Sequence, residues 1–146
     1  MAVFNCISKK WIKMKNKLPL LLIAVLLGVL PSCEKPEGTG GTSSIVGRVW
    51  VRDYNADFSR VVSEYWGEEE DVYIIYGNDS IHSDDAETSY NGYYRFNYLQ
   101  NGEYTIFVYS KDSTYQSPSA RVTVKQTINI TRQGKEYLAP IITILD

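Results

Sequence analysis

The side chains best placed for chemistry in this sequence are carboxylates and aromatic rings. Asn78, Asp79, Asp84, Asp85 and Glu87 fall close together, and Glu68, Glu69, Glu70 and Asp71 precede them. Calcium takes six to eight oxygen ligands, and a loop of this composition can supply them. The spacing does not follow the EF-hand repeat, and a solvated acidic loop is the plainer reading. Calcium is therefore the one cofactor the residues suggest, at Asn78, Asp79, Asp84, Asp85 and Glu87. The second group is aromatic. The chain has 12 Tyr, more than a small core requires. Tyr93, Phe107 and Tyr109 fall at outward positions and, with Trp66, could stack on sugar rings or on a protein partner. Catalytic chemistry is poorly supplied. His82 is the only histidine, which excludes a zinc site built from several His. No serine sits in a Gly-x-Ser-x-Gly elbow, and no glycine-rich phosphate loop precedes a helix. The expectation is a protein that is not an enzyme.

The amino-terminal region has a different composition from the rest. Lys9, Lys10, Lys13, Lys15 and Lys17 precede an apolar run over 18–30, with no acidic residue before Glu34. A spanning helix needs about 20 apolar residues; this run is shorter and ends in small residues, the pattern of a secretory signal over 1–32. Met14 opens a compact signal of its own and offers an alternative start. Leu30-Pro31-Ser32-Cys33 resembles the lipobox of bacterial lipoproteins, with Pro31 departing from the usual residue there. The resemblance implies that Cys33 becomes the first mature residue and carries lipid. Each buried methylene adds about 0.8 kcal/mol, so two or three acyl chains hold a protein firmly on a membrane. The implied location is the cell envelope, anchored to the outer membrane on its periplasmic or surface face. Cys6 would leave with the signal, so no disulfide or thiolate metal site remains. Loss of the five signal lysines leaves 10 basic residues against 17 acidic ones, a net charge of about −7. A domain so acidic is unsuited to nucleic acid.

Residues 33–44 read as the lipidated cysteine followed by a flexible tether rich in Gly and Ser. The folded domain is expected over 45–146. Apolar, β-branched or alternating stretches mark strands at 45–51, 72–76, 93–98, 103–110, 120–130 and near 137–145. Asn101-Gly102 is a tight-turn signal. Between the first two strands, Phe58, Val61, Val62 and Tyr65 fall at helical spacing, and Asp57 could cap a short helix near 57–66.

The stretch from Asn91 to Val108 carries Gly92, Tyr94, Phe96, Leu99, Gly102, Tyr104, Ile106 and Val108. In that order it resembles the carboxypeptidase regulatory-like and collagen-adhesin B-type domains. The resemblance implies an all-β, transthyretin-like (prealbumin-like) antiparallel sandwich of about seven strands. Adhesin domains of this kind often form a Lys–Asn crosslink from the first strand. Arg48 and Arg52 stand on that strand here and no Lys does, so no crosslink is expected. The motif is a packing signature and carries no chemistry of its own. The functional expectation is a lipid-anchored, non-catalytic interaction or scaffold module with an envelope protein as partner; the alternative is a carbohydrate-binding module.

Overall fold

The computed structural model describes residues 37–146. The signal over 1–32, Met14 and Cys33 lie outside the described residues. Nine strands and no helix make up the described part. The long first strand, β1 (Thr39–Tyr54), organises one sheet. Along one side it pairs antiparallel with β5 (Tyr93–Leu99) and then with β2 (Val61–Trp66). Along the other it pairs in parallel with β8 (Glu136–Leu138) and then with β9 (Ile142–Leu145). The second sheet is antiparallel, in the order β4 (Asp84–Glu87), β3 (Asp71–Tyr76), β6 (Gly102–Lys111), β7 (Arg121–Ile130).

Strand alternation sets the core. Ile45, Val49 and Val51 turn inward from β1, while Arg48, Trp50 and Arg52 turn outward. They meet Val72, Ile74, Ile106 and Val108 of the other sheet. The 91–108 hairpin fills much of the interior: Tyr94, Phe96, Leu99, Tyr104, Ile106 and Val108 are all buried. The chain is thus an all-β sandwich, as the alternation pattern requires.

Four sequence expectations need correction. First, the tether read over 33–44 is not free along its whole length. Residues 39–44 belong to β1, and Ser43 and Ser44 are buried. Gly41 lies so close to the Leu99 carbonyl that a β-carbon there would collide with backbone. Thr42 donates its backbone N–H to the Gln133 side-chain oxygen, and Gly38 donates its own to the Tyr104 hydroxyl at 3.0 Å. Glycine and serine here permit close backbone packing rather than flexibility.

Second, the helix near 57–66 is a β-hairpin. β2 pairs with β1 through Trp50–Trp66 and Arg52–Glu64. Pairing satisfies backbone groups that β1 would otherwise leave open, and Val61, Val62, Tyr65 and Trp66 are strand formers. Asp57 does not cap a helix; its carboxylate accepts from the backbone and hydroxyl of Ser59 at the hairpin tip.

Third, the strand read near 137–145 is two strands, separated where Pro140 lacks a backbone donor. Fourth, the count rises from about seven to nine, because β2 carries a helix-spaced pattern and the acidic β4 carries little strand signal of its own.

Candidate functional site

The two ends of the sandwich differ. At one end lie Gly38, Tyr76, Leu99 and the β5–β6 turn. At the other, two hairpin tips and the end of β9 surround a cleft of about 490 Å³. The tips belong to different sheets, at 55–60 between β1 and β2 and at 112–120 between β6 and β7. Tyr115 joins them by donating its hydroxyl to the Ala56 carbonyl at 3.1 Å. The Phe58 ring packs between Tyr54 at 5.9 Å and Tyr115 at 5.8 Å.

Asp112 holds the longer tip. Its buried carboxylate accepts from the backbone N–H groups of Thr114, Gln116 and Ser117 and from the Thr114 hydroxyl. An Asx-type turn of this kind needs the charged form. The bonds to Thr114 and Ser117 lower the Asp112 pKa to about 2. The local backbone is also constrained. Phe58, Glu69, Tyr115 and Ala120 have positive φ, and these four of the five such non-glycine residues described all line the cleft. Each position costs about 1–2 kcal/mol, so the surrounding packing must impose it.

Tyr73 and Tyr109 form an aromatic wall at the cleft, with Glu70, Asp71, Lys111 and Arg121 among its charged groups. Lys111 and Arg121 face each other across β6 and β7, and Lys111 is paired with Asp146 at 2.9 Å. Burial, followed by the charges of Asp146 and Asp71, raises the Glu70 pKa above the ordinary carboxylate value. Flat aromatic faces beside acceptors and donors of both charges suit a polar ligand that also has an apolar face.

The four aromatics singled out from sequence divide between opposite faces of the sandwich. Phe107 and Tyr109 share the outer face of the second sheet. Tyr109 is 44% exposed and borders the cleft, whereas Phe107 is 7% exposed because Tyr73 stacks on it at 5.1 Å. Tyr109 stands edge-on to both rings at 5.7 Å, and His82 meets Tyr73 at 4.9 Å. Trp66 and Tyr93 lie on the outer face of the first sheet, with the Arg48 guanidinium between them, 3.2 Å and 4.4 Å from the two ring centroids. Arg48 also donates to the Asn91 carbonyl at 2.7 Å, and Trp50 meets Trp66 edge-on. One face of Trp66 is thus occupied by the protein itself.

The acidic set does not converge. Asn78 and Asp79 sit in the turn after β3, while Asp84, Asp85 and Glu87 lie on β4. Neighbouring Asp84 and Asp85 turn to opposite faces. Among the described residues no three His, Cys, Asp or Glu side chains are grouped to hold a metal ion.

Sequence reasoning missed Tyr73, Tyr115, Lys111 and Arg121, and it read Phe58 as part of a helix and Glu70 as part of an acidic run rather than of this cleft. The one local signal was the polar run from Asp112 to Pro118, where Asp112 two residues before Thr114 marks a turn.

No family model and no curated protein matches the chain. Among solved structures, one similar chain is a candidate carbohydrate-binding protein from Pseudomonas aeruginosa. The match has 15% identity and a TM-score of 0.42, and covers 75% of this chain and 91% of that one. Another is (S)-allantoin synthase, at 10% identity and a TM-score of 0.38, with 72% of this chain and 42% of that one covered.

Proposed function

We propose that this chain is a lipid-anchored, non-catalytic module of a bacterial cell envelope that binds a glycan at the cleft between its two hairpin tips. The observation that carries this reading is the junction of Tyr73, Tyr109 and Tyr115 with Glu70, Asp71 and Arg121 at one constrained end of the sandwich. Sugar rings present flat C–H faces to aromatic rings and hydroxyls to charged groups, and this cleft offers both partners. Anchorage is supported by the sequence around Cys33. Kinship with the carboxypeptidase regulatory-like domains is supported by the buried hairpin from Tyr94 to Val108.

A glycan-array screen of the purified protein tests the binding. Saturable binding that falls at least tenfold in Tyr109→Ala is expected. Absence of saturable binding, with and without calcium, removes the glycan reading. A protein partner is the second reading, favoured by the outer edge of β7. That edge has no strand neighbour in its sheet among the described residues, and Val122 on β7 is 40% exposed.

A further inference from the structure

The geometry points to a fixed presentation: the end of the sandwich bearing Tyr98, Arg132 and Lys135 rests on phospholipid headgroups, and the cleft faces away from the membrane. This inference rests on the lipid anchor of the proposed function, but not on the identity of the ligand.

The point where the chain enters the fold comes first. Gly38 is held by Tyr104, whose hydroxyl accepts from the Gly38 N–H and donates to the Gln100 carbonyl. The Glu37 side chain lies against Gly77 and Gly102. The chain is therefore held against the domain at Glu37, three residues after Glu34 and four after Cys33. Four peptide steps reach at most about 14 Å when fully extended.

The strand directions come second. β1 and β6 both run from this entry end toward the cleft, and β3 and β7 return. The ten residues of β6 separate the two ends by about 30 Å at the usual rise per residue. The reach of the linker is about half that distance, so the entry end stays close to the lipid.

Surface chemistry comes third. The entry end carries exposed Arg132 and Lys135, neither of them in a side-chain ion pair among the described residues. It also carries Tyr98, 72% exposed, an amphipathic ring suited to the headgroup layer. The cleft end carries Glu69, Glu70, Asp71 and Asp146. Glu37 and Glu103 at the entry end offset those two cations, and Lys111 and Arg121 offset carboxylates at the cleft. The orientation therefore follows from the short linker and the strand directions, with Tyr98 as the headgroup contact.

The test uses the full chain, exported and processed in cells. It is then reconstituted into vesicles of phosphatidylethanolamine and phosphatidylglycerol that contain a nitroxide-headgroup lipid. Cys33 is blocked by its lipid and Cys6 leaves with the signal, so an introduced cysteine can be labelled alone. A fluorophore at N78C, near the entry end, is expected to be quenched several-fold more than one at S113C, on the cleft tip. A long Gly–Ser spacer inserted between Glu34 and Lys35 is expected to shrink that difference. Equal quenching at the two sites, or stronger quenching at S113C, in protein whose mass shows lipid on Cys33 would overturn the orientation alone. A mature amino-terminal peptide without diacylglycerol would overturn the anchor and the orientation with it.

Discussion

The phenol of Tyr94 on β5 lies directly over Gly47 on β1, with no room between them for a side chain. A β-carbon at position 47 would overlap the Tyr94 ring and its hydroxyl oxygen. That hydroxyl is buried without a hydrogen-bond partner among the described residues, and burial raises its pKa. The pair sets the approach of β5 to β1 and predicts two opposite mutational outcomes. Gly47→Ala overpacks the interface and should cost about 1–3 kcal/mol in urea unfolding. Tyr94→Phe keeps the ring and removes the unsatisfied oxygen, so it should be neutral or stabilising by about 1 kcal/mol. A large loss of stability in Tyr94→Phe would mean that the hydroxyl has a partner.

The two groups of aromatics should separate by function. Tyr109→Ala and Tyr115→Ala should weaken glycan binding at least tenfold while leaving the thermal transition within a few degrees. Trp66→Ala should do the reverse. It removes the ring that holds Arg48 and Trp50, at a cost of roughly 2–3 kcal/mol, yet stands on the sheet face away from Tyr109. Calorimetry and binding isotherms on the three variants decide this; loss of binding in Trp66→Ala at intact stability would move the site to the other face.

Asp112 gives the longer tip an acid-sensitive hold. Its folded pKa, about 2, lies below the ordinary carboxylate value. The stabilisation is therefore present above the ordinary value and is lost as pH falls toward 2. Proteolysis within 112–120 should accelerate over that range in the native protein. Asp112→Asn should show fast cleavage already at neutral pH, with little further change on acidification.

Glu70 should act in the opposite sense. Its folded pKa is raised, first by burial and then by Asp146 and Asp71. The folded state holds its proton more tightly than the unfolded state, so this residue's contribution to stability falls as pH rises from the ordinary carboxylate value through the raised one. Glu70→Gln should be more stable than the parent at neutral pH and equal to it well below pH 4. A constant difference between the two across the whole pH range would exclude titration of Glu70 as the cause.

Cys33→Ser should move the protein from the membrane fraction to the soluble envelope fraction, with the thermal transition of the folded domain unchanged, because the described body begins at Glu37.

Much of this protein was legible in the sequence because it depends on local periodicity. Alternating apolar residues fix which side of the 93–108 hairpin faces the interior, so Tyr94, Phe96, Tyr104, Ile106 and Val108 read as inward from the sequence alone, and all five are buried. Charge and cysteine arithmetic also need no fold. What sequence could not decide depends on the neighbours a strand acquires. β2 took helical spacing at Phe58, Val61, Val62 and Tyr65 and became a hairpin partner, because the open edge of β1 outweighs local pattern. β4 is four residues with three carboxylates, and only pairing with β3 makes it a strand. Residues 39–44 look like a linker until Leu99 and Gln133 come against them. The same holds for the site. Phe58, Tyr73, Tyr109 and Tyr115 come from separate stretches of chain in two sheets, and no spacing in the sequence records that they meet. Trp66 reads as part of a short helix in the sequence, and only the tertiary structure puts it on a sheet and lays Arg48 across its ring.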